Sequence, residues 1–173
     1  MPNKILITYA TRTQTTEGVA NAIGNTLSDA GFQVDIYNLN EVKNIESYQT
    51  IIVGSAIQAG KWLPEAIEFI KNHQVALQKV KFATFTVCMT LAMRNGEKYR
   101  FHVESWLKPV RDMAEPISEG FFTGALNVSA IKSFGDRLKF RISVLLGVWK
   151  EGDHRNWEAI KTWALNLVPM LLK

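Results

Sequence analysis

Four threonines fall within six positions near the start of the chain: Thr11, Thr13, Thr15 and Thr16, with Arg12 and Gln14 between them. Each hydroxyl can donate a hydrogen bond, so a cluster of them suits the oxygens of a phosphate group. Before the cluster, Ile5-Leu6-Ile7-Thr8-Tyr9-Ala10 reads as a buried strand. After it, Val19, Ile23 and Leu27 recur at helical spacing. Strand, turn and helix in that order bring a helix N-terminus to the carboxyl end of a strand. Its unsatisfied N–H groups and the positive end of its dipole favour an anion there. A single threonine would serve as an ordinary N-cap; four in one turn point to an anion site. The glycine-and-lysine P-loop and the glycine-rich dinucleotide fingerprint are both absent.

Two further stretches belong at the same end of the sheet. Ile51-Ile52-Val53-Gly54 reads as a central parallel strand, and Ser55, Ala56, Ile57, Gly60 and Trp62 follow it in a turn. Trp62 has two readings: a ring that stacks on a flat ligand, or a ring that caps the next helix and packs on the core. Val80 to Val87 is the fourth strand. Thr86, Val87, Cys88, Met89 and Thr90 close it, with backbone amides to offer a ligand. Cys88 reads as a small buried hydrophobe, since no neighbour in sequence marks it as activated.

The elements that must position these loops alternate along the chain. Phe32, Val34 and Ile36 alternate with polar residues as an edge strand does, and Pro64 opens a helix. A helix beginning near Glu97 turns Val103, Leu107 and Val110 inward, and Pro109 is expected to kink or end it. Residues 117–126 form the fifth strand. Ile160, Ala164, Leu167, Val168 and Leu171 give the stripe of a last helix, capped by Asp153 or Asn156. Five strands alternating with helices, without repeat or linker, predict a single α/β domain over 1–173. It is a doubly wound five-stranded parallel sheet, order 2-1-3-4-5, with the ligand at the carboxyl ends of the strands.

Residues 127–152 exceed an ordinary connection. Ile131, Phe134, Leu138, Ile142 and Leu145-Leu146 follow helical spacing, with Lys132, Arg137, Lys139 and Arg141 between them. A basic amphipathic helix reads as a membrane-surface or partner-binding element, or as a cover over the sheet edge. From Asn127 to Lys150, these bases and Lys150 stand against Asp136 alone, so that span carries the whole formal net charge of +4. No aromatic–basic interleaving accompanies the bases, so nucleic acid is not an expected partner. No metal site is read, and no acid or base marks a catalytic group. One cysteine excludes an intrachain disulfide, and Met1-Pro2-Asn3-Lys4 leads straight into the first strand. Both features suit a cytoplasmic protein, peripheral at the inner face of a membrane if the basic segment binds lipid.

Tyr9, Thr11, Thr16 and Ala20 follow the pattern of the flavodoxin phosphate loop. With Val53-Gly54-Ser55-Ala56-Ile57-Gln58-Ala59-Gly60, Phe122-Thr123-Gly124-Ala125-Leu126, the basic segment and Gly152-Asp153-His154-Arg155-Asn156-Trp157, nearly the whole chain resembles one flavodoxin branch. That branch is the menaquinone-dependent protoporphyrinogen IX dehydrogenase family. The resemblance implies a flavodoxin-like fold with a helical insertion after the fifth strand. It also implies FMN held by Thr11, Arg12, Thr13, Gln14, Thr15 and Thr16, with its ring between the second and third loops. Electrons would pass from a porphyrinogen to a quinone. An electron carrier shuttling to a redox protein, without its own substrate, is the other reading of the same fold; the basic balance argues against it.

Overall fold

Ile5, Ile7 and Tyr9 of β1 (Lys4–Ala10) face one side of a sheet, and Leu6 and Ala10 the other. A strand's two-residue period dictates this, and a strand apolar on both faces must be covered on both. The computed structural model describes residues 4–172 and meets that demand with two helical layers. On one side, α1 (Thr15–Asp29) and α6 (Trp157–Leu171) bury Val19, Ile23, Leu27, Ile160, Ala164, Leu167 and Leu171. On the other, α2 (Pro64–Leu77) and α4 (Lys108–Met113) close over Leu6, Ile51 and Val53. Each Val, Leu or Ile among them, removed from water, contributes roughly 1.5–3 kcal/mol.

The parallel strands are β1, β2 (Gln33–Asn38), β3 (Thr50–Gln58), β5 (Lys81–Val87) and β6 (Ser118–Phe122), in spatial order β2-β1-β3-β5-β6. Counted alone, these five run 2-1-3-4-5, as the alternation of elements requires. Register aligns Tyr9 with Gly54 and Gly54 with Phe85 across the centre. There the Phe85 ring occupies the space a side chain at 54 would need: a Cβ would lie 2.0 Å from its Cζ.

Between β3 and α2, the short strand β4 (Lys61–Trp62) folds back on the end of β3, pairing Gln58 with Lys61. The two residues of the turn, Ala59 and Gly60, have φ of 51° and 72°. Positive φ at both positions is what a tight hairpin with the strands' own twist demands.

Three boundaries differ from the sequence reading. The helix expected from Glu97 is a 3-10 turn (Gly96–Tyr99), then α3 (Arg100–Ser105), a break at Trp106 and Leu107, and α4. Pro109 neither kinks nor ends a helix; it lies in the first turn of α4, where its missing N–H costs nothing. Val103, Leu107 and Val110 are still fully buried. The expected fifth strand over 117–126 is two strands. β6 stops at Phe122, and β7 (Ala125–Leu126) pairs antiparallel with β8 (Gly152–Asp153). Thr123 and Gly124 leave the sheet to bond the His154 carbonyl and N–H. Of the two candidate caps for α6, Asn156 takes the role, accepting the Ala159 N–H at 3.0 Å.

Gly54→Ala should destabilise the protein by about 1–3 kcal/mol, the range for overpacking a filled core, because the Phe85 ring has to move. Chemical denaturation at neutral pH measures it, and an unchanged midpoint would show that the centre of the sheet has room.

Candidate functional site

At the carboxyl end of β1 the chain makes a tight turn into α1. Gln14 is the N-cap of α1, held at φ 62° and ψ 1°, and its side chain caps nothing. For a residue with a Cβ this left-handed conformation costs about 1–2 kcal/mol. The first-turn N–H groups of α1 therefore lack a side-chain acceptor from the N-cap. Around that turn, Thr13 and Thr15 share a hydrogen bond of 3.2 Å between their hydroxyls. The hydroxyls of Thr11 and Thr16 are shielded from solvent and have no partner. Other unpaired buried hydroxyls, on Thr8, Thr50 and Thr84, lie inside strands β1, β3 and β5. Those of Thr11 and Thr16 are the pair that flank the strand–helix turn.

Arg12 is not a free anion ligand. Its guanidinium forks onto both oxygens of Glu65 in the first turn of α2, with Nη2 to Oε2 at 3.1 Å and Nη1 to Oε1 shorter still. These hydrogen bonds hold the Glu65 carboxyl below the usual carboxylate range. Arg12 thereby ties the first loop to the helix that follows the second, and leaves the threonine turn to neutral donors. Tyr9, under the same turn, is buried, and burial together with nearby Glu17 pushes its phenol up.

Two residues of the second loop are structural. The Ser55 hydroxyl donates to the Ala56 carbonyl at 2.8 Å and accepts the Leu63 N–H at 3.0 Å, so it is spent on the hairpin. Trp62, 3% exposed, packs in the core, and its indole N–H reaches the Thr86 hydroxyl at 3.0 Å. Of its two readings the structure takes the packing one, since a stacking ring must present a face. Ala56, Ile57 and Gly60 remain partly exposed at the strand end. Trp106 lies against Gly60, its ring 3.4 Å from where a Cβ would be. No sequence spacing pointed to that aromatic, because the break between α3 and α4 aims it.

In the third loop, Thr86, Val87 and Cys88 are buried, and the Cys88 N–H is taken by the Phe122 carbonyl at 2.9 Å. Its amide is not available to a ligand. Met89 and Thr90 are partly exposed and begin a short 3-10 turn, Met89–Ala92. Gly124, in the loop after β6, touches this group: a Cβ on it would lie 3.3 Å from Val87, 3.4 Å from the Met89 sulfur and 3.6 Å from Thr15. The first, third and fifth loops thus meet, and Gly124 is the residue that keeps them close.

Beyond the fifth loop lies a second surface. α5 (Phe134–Leu145) buries none of its residues. The expected apolar stripe faces outward: Phe134 is 78% exposed, Leu145 86%, and Leu138 and Ile142 about half. Lys132, Lys139 and Arg141 are exposed beside it, whereas Arg137 is turned back onto the Ile131 carbonyl at 2.7 and 3.0 Å. The opposite side, with Phe140, Ser143 and Val144, is half-buried, and the Phe140 ring lies 6.4 Å from that of Trp149. No helix among the described residues is long and apolar enough to cross a membrane.

Residues 6–145 match the Flavodoxin domain family. The chain belongs to the flavodoxin family. Among its relatives is the protoporphyrinogen IX dehydrogenase [quinone] of Escherichia coli K12, 24% identical over 93% of this chain and 92% of that one. Solved structures of similar fold include an archaeal flavodoxin (TM-score 0.58, 16% identity, covering 98% and 99% of the two chains). Another is flavodoxin 2 of Bacillus cereus (TM-score 0.54, 20% identity, covering 96% and 99%).

FMN is the cofactor this membership brings, and the first loop fits it. A buried hydroxyl without a partner costs about 1–3 kcal/mol, and a phosphate oxygen would supply the partner to Thr11 and Thr16. Thr16→Val, nearly isosteric, should therefore stabilise the flavin-free protein by about 1 kcal/mol. It should weaken FMN binding by about 1.5–3 kcal/mol, some 10- to 150-fold. Thermal unfolding without flavin and fluorescence titration with FMN check the two signs; unaltered FMN affinity would place the phosphate elsewhere.

Proposed function

We propose that the chain is an FMN-dependent oxidoreductase that moves electrons from a reduced small molecule of the porphyrinogen class to a quinone, peripherally bound at the inner face of a membrane. The observation that carries this reading is the outward apolar stripe of α5, flanked by exposed bases. Water-exposed apolar surface on a helix is costly unless something covers it, and positive charge beside it suits an anionic lipid surface. A lipid-soluble acceptor would be met at such a surface. The likeness to the Escherichia coli enzyme, over nearly the full length of both chains, supports the same reaction class.

When bound, FMN supplies the capacity to take up a hydride and release electrons singly or in pairs. The chain's own part is binding and placement. The N-terminus of α1 and the hydroxyls of Thr11, Thr13, Thr15 and Thr16 would hold the phosphate end. The Ala59–Gly60 hairpin, with Trp106 against it, and the Met89–Ala92 turn would border the ring end. The fork from Arg12 to Glu65 keeps the first two loops in fixed relation. The second reading is an electron-transfer flavodoxin with a redox-protein acceptor and no substrate of its own. The solved flavodoxins of like fold favour it, and in it α5 would be the face that meets the protein partner.

The protein should purify with a flavin absorption spectrum and release FMN on denaturation; a colourless protein that FMN cannot reconstitute would end the flavoprotein reading. Changing Lys132, Lys139 and Arg141 together to Gln, and sparing Arg137, should leave FMN content intact. Each base near an anionic surface contributes about 1 kcal/mol, so binding to phosphatidylserine-containing liposomes should fall roughly a hundredfold. Activity with a lipid-soluble quinone should drop, while activity with a water-soluble acceptor persists. Liposome binding equal to that of the parent would refute the membrane contact.

A further inference from the structure

The segment between β8 and α6 holds an arginine in an unusual place. The Arg155 side chain is 18% exposed. Its Nε and Nη2 take the two oxygens of Asp153 at 2.8 and 2.6 Å, and its guanidinium lies over the Trp157 ring, 4.4 Å from the centroid. The remaining nitrogen, Nη1, faces the backbone of Gly18, so closely that a Cβ on residue 18 would lie 2.4 Å from it. Gly18 ends the first turn of α1, with its N–H on the Gln14 carbonyl at 3.2 Å. The residues next to Arg155 are fastened to the same region. His154 donates its N–H to the Gly124 carbonyl at 3.1 Å, and Gly124 lies against Thr15.

The sign of this charge is the informative part. A helix dipole favours cations at its C-terminus and anions at its N-terminus. A mostly covered guanidinium beside the first turn of α1 has the wrong sign for the helix dipole; Asp153 pairs with it from its own segment, and Glu17 stands in that first turn. A stronger anion at the same helix end would make the arrangement more favourable still. The Thr16 hydroxyl, fully buried and unpaired at that turn, is a second group there that a ligand oxygen would satisfy.

We propose that Arg155 is a positioning residue of the phosphate site. Through Gly18 it keys residues 152–156 onto the first turn of α1 and adds positive charge to a loop whose other ligands are neutral hydroxyls, so that the site selects phosphorylated over unphosphorylated flavin. The inference rests on the FMN reading above and adds a residue to it. Arg155 acts from behind the helix, and its effect is on the phosphate end of the ligand alone.

The test compares dissociation constants for FMN and riboflavin, measured by flavin fluorescence on the full-length protein stripped of flavin. Gly18→Ala is the decisive variant. Alanine favours the helix over glycine, while its methyl group must displace the guanidinium. Its melting temperature should not fall, yet its preference for FMN over riboflavin should drop at least fivefold. Arg155→Gln should lower that preference at least tenfold, and Arg155→Lys, which keeps the charge but not the fork, should lose less. If Gly18→Ala and every Arg155 variant that folds keep the parent's preference within twofold, Arg155 is only a structural strap and the proposal fails. A parent protein that binds both flavins equally would overturn the phosphate assignment itself. One that binds neither would overturn the FMN reading beneath it.

Discussion

Two hydroxyls that the protein leaves without partners, on Thr11 and Thr16, organise one end of the molecule. Folding normally pairs every buried polar group, because each one stripped of water and left unbonded costs free energy comparable to a lost hydrogen bond. Part of that cost lies inside the sheet, at Thr8, Thr50 and Thr84, and part at the turn where α1 begins, beside a Gln14 held in the left-handed region. Strain and unmet bonds gathered at one turn mark a place whose full stability comes from a ligand. The rest of the carboxyl edge is built to keep that turn in place: the Arg12–Glu65 fork from the second loop's side, Gly124 from the fifth, and Arg155 against Gly18.

The parallel sheet makes this convergence possible. Because β1, β3, β5 and β6 run in one direction, their following loops all emerge on one edge, and short links cannot carry them elsewhere. Gly54 and Phe85 show how closely the centre is packed to keep those strand ends level. The chain departs from a minimal flavodoxin on the far side of β6. There the segment that carries α5 is bracketed by a second small sheet, β7 with β8, while the apolar stripe of α5 is left uncovered. Energetically the stripe is the reverse of α1, α2 and α6, which turn their apolar faces inward. The same β7–β8 pair and the strand of chain after it connect that surface to the threonine turn.

The sequence by itself determined the five parallel strands and their order, though not where the fifth ends, together with the two helical layers and the threonine turn. Each of these is a local pattern: doubly apolar runs for β1, β3 and β5, an alternating run for the edge strand β2, helical stripes for α1 and α6, and hydroxyls clustered at a strand–helix junction. Periodicity records which faces are buried, so anything decided by burial can be read from it. Only the tertiary structure decided what each loop residue does, because that depends on which distant group arrives opposite it. Trp62 met the Thr86 hydroxyl and went inward, Ser55 met the Leu63 amide, and Arg12 met Glu65 across 53 positions. Gly124 reached the first and third loops, Trp106 reached Gly60 and Arg155 reached Gly18 the same way, from elements whose spacing gives no sign of it. The apolar spacing of 131–146 was equally legible but silent about direction. A stripe tells that one face of a helix is apolar; whether it turns to the core or to the outside is settled by whether the domain has any core left to cover, and here the sheet was already closed by α1, α2, α4 and α6.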